Sequence, residues 1–287
     1  MRQIQEDCKD HDNLETLRLD LPHNARSPFN RTRLGTVALG GIAFQRHPVP
    51  LELSGVRELH HGLFKRLAPL VTHQARAQQF MDYMTVYFLL QDPERVGYTE
   101  GSRLKRCKVD YQRILRGWLF NPDGREAAVL KGWVASRFGL LARYHGGALD
   151  DYEGAAYQHF LHMQSAGLYN TNALESQLDI LYTYCQYELA QRLFGQSHWL
   201  LYRGVNAIDE HDVVARGKGG KAVVLLNNLN SFSEDRERAE EFGDYIMEVQ
   251  VPLPKVLFYH GLLPGAFKGE GEVMVIGGYY VVNLATY

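Results

Sequence analysis

The sequence predicts an α+β protein, with a helical N-terminal part followed by a β-rich core. Between residues 55 and 195 apolar side chains recur with a helical period, as in Leu59, Leu63, Leu67 and Leu70 at i, i+4, i+8 and i+11. After His198 they gather into short runs rich in valine, isoleucine, leucine and aromatics, and only one helix interrupts those runs. Helices first and strands second make an α+β arrangement. The chain has 287 residues and is 45% apolar, enough for a sizeable core.

The elements follow in order. Residues 1–54 are polar and then irregular, punctuated by Pro22, Pro28, Pro48 and Pro50, and read as an arm packed on the body. Residues 55–195 form the helical region. After the leucine series, Phe80, Met84, Tyr87 and Phe88 continue the period, and further helices are expected over Tyr111–Leu119, Ala127–Phe138, Asp151–Gln164 and Ala173–Leu193, with Gly195 as the last stop. Residues 196–287 form the β-rich core, joined to the helical region as one compact unit. Its strands are expected over Trp199–Tyr202, Ala222–Leu226, Tyr245–Val251, Val256–Tyr259 and Val273–Val282. The interrupting helix begins after Ser233 as N-cap, carries Glu234 and Asp235 in its first turn, and ends at Gly243.

Composition excludes several classes. With 31 basic and 33 acidic side chains the formal net charge is −2, so no global field draws the protein to nucleic acid or to an anionic membrane. The three cysteines, Cys8, Cys107 and Cys185, are far apart and lack C-x-x-C spacing, which fits a reducing cytoplasm better than a disulfide scaffold or a zinc site. The opening residues have no apolar targeting stretch, and the run from Leu34 to Phe44 is too short and glycine-rich to span a bilayer. Gly217-Lys218-Gly219-Gly220-Lys221 lacks the spacing of a phosphate loop and precedes a strand, so it reads as a mobile loop. His60 and His61 point apart on a helix and make a poor metal pair. Arg103, Lys105, Arg106, Lys108, Arg113 and Arg116 read as a solvated helix face, or one that docks an acidic partner.

The chemistry lies in a polar set in the last third. Arg203-Gly204 follows the first strand, Ser231-Phe232-Ser233 precedes the short helix, and Glu270-Gly271-Glu272 leads into the final strand. If that strand continues backwards through the glutamates, Glu270 and Glu272 project to one face, roughly 7 Å apart. Gly271 lets the backbone turn sharply between them. Each piece also has a plain reading: Arg203 as a surface arginine, Ser233 as a helix cap, the glutamates as a solvated strand entry with exposed acidic residues. The functional reading gives Arg203 a bidentate hold on a diphosphate, a task lysine performs poorly, and gives Ser231 a hydroxyl that holds a carboxylate.

In this order the residues resemble the Arg-Ser-Glu class of NAD-dependent mono-ADP-ribosyltransferases. More specifically, residues 226–233 (LNNLNSFS), 236–244 (RERAEEFGD), 44–53 (FQRHPVPLEL) and 197–204 (SHWLLYRG) resemble the bacterial dinitrogenase reductase ADP-ribosyltransferases. The resemblance runs from about residue 20 and is most specific over the last 90 residues. It implies transfer of ADP-ribose from NAD to an arginine of dinitrogenase reductase, the nitrogenase iron protein, which switches nitrogen fixation off. NAD is then a substrate, and no metal is needed. Arg203, with Gly204 and Ser233, would bind NAD; Ser231 would position Glu272; Glu272 would hold the nicotinamide ribose; Glu270 would engage the acceptor arginine. Phe267, five residues before Glu272, would meet the acceptor, unless it tucks into the core. A glutamate at 270, where relatives with other acceptors carry glutamine, points to arginine.

The resemblance also implies regulation by PII signalling proteins. Two departures stand out. Phe232 replaces the threonine at the centre of the serine motif, leaving open whether Ser231 alone or both serines serve the site, and residues 55–194 have no counterpart in toxin-like relatives. Two rival readings remain: an NAD glycohydrolase or a transferase with another protein target, and a non-catalytic nucleotide-binding module, which would need neither glutamate.

Overall fold

The structure, a computed structural model, describes residues 14, 17–90, 109–168, 173–206, 212–267 and 271–286. Two short helices, α1 (Thr36–Gly40) and α2 (Ile42–Arg46), occupy the segment expected to be irregular. They pack on the sheet through Leu39, Ile42 and Phe44, so this arm contributes to the core.

The helical region comprises α3 (Val56–Leu59), α4 (His61–Leu67), α5 (His73–Tyr87), α6 (Tyr111–Phe120), α7 (Arg125–Phe138), α8 (Ala155–Leu168) and α9 (Leu174–Arg192). The leucine series does not run through one helix. His60 leaves helical geometry between α3 and α4 and turns its buried ring inward to Tyr83 Oη at 2.9 Å, leaving Leu59 68% exposed. The α5 and α6 starts are capped as their sequences suggest: Thr72 accepts from the Ala75 N–H, and Asp110 Oδ1 accepts from the Arg113 N–H at 2.8 Å. In α6 Tyr111, Ile114, Leu115 and Trp118 are buried, a stripe at i, i+3, i+4 and i+7. Gly139 ends α7 and Gly195 follows α9, both with left-handed φ.

The strands are β1 (His198–Val205), β2 (Asp212–Arg216), β3 (Lys221–Ser233), β4 (Tyr245–Pro252), β5 (Val256–Tyr259) and β6 (Glu272–Thr286), with α10 (Arg236–Glu240) between β3 and β4. Five match expected strands; β2, short and with only Ala215 buried, was not foreseen. Residues 217–221 form the β2–β3 hairpin turn, in which Gly219 and Gly220 adopt positive φ and the Gly217 N–H reaches the Lys221 carbonyl at 2.8 Å.

All described pairings are antiparallel. The long β6 pairs with β3 along one side and with both β4 and β5 along the other. Because β1 pairs with β4 and also meets β3 at Tyr202–Ser233, strands β3, β1, β4 and β6 close a ring of pairings. Helix α9 covers β5 and α7 packs on β3. One hydrophobic cluster runs from Phe44 through Phe80, Ile114 and Leu181 to Val224 and Met274, joining arm, helices and sheet. Among the described residues no helix is long and apolar enough to cross a membrane.

Candidate active site

Strand β3 lies between β1 and β6, and its last residue ties the candidate site together. Ser233 pairs with Tyr202 on one side and with Glu272 on the other. Arg203 follows Tyr202, and Ser231 lies two residues back on the same face of β3 as Ser233. Three segments remote in sequence therefore meet along one line across three strands. Phe232 points to the opposite face and is buried in the core at 3% exposure, so an aromatic at the centre of the serine motif leaves the polar face intact.

The contacts join Arg203, Ser231 and Glu272. The Ser231 hydroxyl donates a short hydrogen bond to Glu272 Oε1. Arg203 Nη1 donates to the Ser231 carbonyl at 2.7 Å. Its Nε is buried and has no partner among the described residues, a donor suited to an anionic ligand. Burial lowers the Arg203 pKa from its ordinary value, and the neighbouring Glu272 carboxylate opposes that shift.

Glu272 begins β6, and Gly271 before it has φ of 74°, so the glycine makes the sharp turn expected of it. The strand does not extend backwards through Gly271, so the alternation argument for Glu270 and Glu272 facing one side does not apply. Glu270 itself lies outside the described residues, as do 207–211 and 268–269.

Other candidates serve packing or capping in this structure. Helix α10 is capped by Asp235, whose Oδ1 accepts from the Glu237 N–H at 2.9 Å; Ser233 instead ends β3, and its hydroxyl accepts from the Asp235 N–H at 3.0 Å. The helix also ends at Glu240, before Gly243. A Cβ on Gly204 would lie 2.0 Å from the Ala239 carbonyl oxygen, so this glycine admits the end of α10 against β1. Phe267 does not present its ring to solvent. It is 9% exposed, packs edge-to-face on Phe258 at 5.4 Å, and lies beneath the Arg116 guanidinium at 5.7 Å, because the apolar ring is better covered than left in water.

Trp118 was not foreseen as part of the site. From α6 its indole Nε1 donates to Ser231 Oγ at 3.0 Å and to Glu272 Oε1 at 2.9 Å. In the sequence it reads only as the fourth member of a buried helical stripe. Lys131 of α7 was also missed: its ammonium sits 5.9 Å from the Trp118 ring centroid and donates to Asp123 at 3.0 Å and to the Tyr144 carbonyl at 3.1 Å. Burial lowers the Lys131 pKa, with Asp123 opposing. His145 beside it is pushed down to about 4, first by burial and then by Lys131, and is therefore neutral at physiological pH. Among the described residues no cluster of histidine, cysteine, aspartate or glutamate could hold a metal ion.

What the arrangement can do follows from its charges. A carboxylate held by the Ser231 hydroxyl and the Trp118 indole can stabilise positive charge on a ribosyl carbon, and a half-buried arginine beside it can hold a phosphate. The sequence model of the family described as dinitrogenase reductase ADP-ribosyltransferase matches residues 29–284. The chain is also similar to a Rhodospirillum rubrum protein named NAD(+)–dinitrogen-reductase ADP-D-ribosyltransferase. The two are 38% identical over 258 residues, covering 88% of this chain and 93% of the relative. No solved structure matches the chain.

Proposed function

The chain belongs to the dinitrogenase reductase ADP-ribosyltransferase family, and from that premise we propose that it transfers the ADP-ribosyl group of NAD to an arginine of dinitrogenase reductase, releasing nicotinamide and switching nitrogen fixation off. The observation that carries the reading to these residues is the contact of the Ser231 hydroxyl with Glu272 beside a half-buried Arg203. Arg203 holds the NAD diphosphate. The bond from the ribose anomeric carbon to nicotinamide breaks, nicotinamide leaves with the bonding electrons, and Glu272 stabilises the oxocarbenium-like charge left on the ribose. An arginine nitrogen of the acceptor then attacks that carbon, and Glu270 orients the guanidinium and takes its proton. NAD is consumed as a substrate.

A cytoplasmic location and regulation by PII proteins belong to the same proposal. The first is supported by the buried free thiol of Cys185, the second by the family resemblance alone.

The test is incubation of the purified chain with labelled NAD and dinitrogenase reductase, following labelled protein and free ADP-ribose separately. Glu272→Gln keeps size but removes charge, and should abolish both products while NAD still binds. Glu270→Gln should lose transfer steeply yet keep slow hydrolysis, because its partner is the acceptor. Label appearing only as free ADP-ribose in the wild type would favour a glycohydrolase. An unchanged rate for Glu272→Gln would overturn the site assignment.

A further inference from the structure

Trp118 comes from the helical region, 154 residues before Glu272, yet its one polar atom points at the carboxylate to which the reaction is assigned. A buried indole N–H needs a partner, and a phenylalanine would fill an apolar pocket without that demand. The partner here is double: the N–H is shared between Ser231 Oγ and Glu272 Oε1. Ser231 has one hydroxyl proton, which it gives to Glu272. The indole therefore donates to the serine oxygen, whose own proton goes to the carboxylate, and also donates to the carboxylate itself.

The two donors differ in stiffness. A serine hydroxyl rotates freely about its C–O bond, whereas the Trp118 ring is 2% exposed and wedged among core side chains, with the Lys131 ammonium near its ring. Arg203, whose charge interacts with the Glu272 carboxylate, holds the Ser231 main chain from the β1 side. The carboxylate is thus held between a strand hydroxyl and a helix indole.

We infer that Trp118 is a positioning residue of the transferase: its indole N–H fixes Ser231 and the Glu272 carboxylate in the orientation that meets the developing charge on the ribose. This rests on the function proposed above. It makes α6 a supporting wall of the reaction centre.

The experiment compares the full-length wild type with Trp118→Phe and with a variant carrying benzothienylalanine at 118, which keeps the ring outline but has sulfur where the N–H stood. Nicotinamide release from NAD is measured across pH, and each rate is divided by the folded fraction taken from calorimetric NAD-binding stoichiometry. Both variants should lose about tenfold or more in kcat while KM for NAD stays within about twofold. The acid limb of their rate profiles should move to higher pH, because a carboxylate that loses a donor takes up its proton more readily. A merely structural tryptophan would leave the sulfur isostere with wild-type kcat and an unmoved profile, and that result overturns the inference. Glu272→Gln is run in parallel: if it alone loses activity, only the role of Trp118 fails, whereas full activity in Glu272→Gln removes the functional reading beneath it.

Discussion

At the scale of single residues, burial decides which chemical groups keep their ordinary behaviour. Lys255 is fully buried, its ammonium donates to the Gly277 carbonyl at 2.8 Å, and it lies 4.6 Å from the Tyr280 ring centroid. Burial lowers its pKa from 10.5 to about 7. Between those values the unfolded chain binds a proton that the folded chain does not, so this lysine makes stability rise as pH climbs from about 7 toward 10.5. Lys255→Met removes that dependence. Wild type should gain about 2 kcal/mol over the variant between pH 7 and pH 9, read from urea unfolding at each pH. A gap that stays constant would mean that Lys255 keeps one charge state throughout. Phe267 illustrates the same force acting on an apolar group: its ring is drawn under Arg116 and onto Phe258.

At the scale of elements, an irregularity in β3 decides which way its serines face. Leu226 pairs with Gly278 and Leu229 with Ile276, so Asn227 and Asn228 together oppose Gly277. One extra residue reverses the alternation of β3 relative to β6, which turns Ser231 and Ser233 to the site and Phe232 to the core. The bulge is anchored by amides. Asn228 Nδ2 donates to the carbonyls of Lys131 and Leu140 at 2.8 and 3.0 Å, and Asn227 Nδ2 donates to that of Tyr144 at 2.9 Å. A Cβ on Gly277 would fall 1.7 Å from the Asn227 carbonyl oxygen, which no rotamer change relieves. Gly277→Ala should therefore cost about 2 kcal/mol or more and lower activity with stability. Gly261→Ala, whose nearest neighbour would be a Tyr259 ring atom at 3.7 Å, should unfold thermally close to wild type.

At the scale of the molecule, the helices complete the sheet. Helix α9 covers β5, whose four residues are all buried, and α7 covers β3. Charged groups also cross between helices: Arg76 of α5 makes two bonds to Glu188 of α9, and Arg137 of α7 makes two to Asp179 of α9. A fragment of residues 196–287 would expose the apolar faces of β3 and β5 and lose the Trp118 donor. It should show no cooperative unfolding transition by circular dichroism, whereas the full chain should unfold cooperatively. A folded fragment would show that the β-rich part is independent of the helices.

Much was legible in the chain itself because local patterns carry it. Helical period and strand-like runs specified the α+β order, and the order of Arg203, Ser231 and Glu272 along the sequence marked them as candidates. The leucine series misled because its period says nothing of a break at His60, and Ser233 misled as a cap because serine and Asp235 suit that position equally well. What only the tertiary structure decided is what depends on contacts between distant segments. These are the bulge that aims the serines, the burial of Phe267, and the entry of Trp118 between Ser231 and Glu272. A helical stripe declares that a tryptophan is buried. It cannot declare which carboxylate, 154 residues later, will accept its hydrogen bond, because that choice is made by packing and not by the neighbouring sequence.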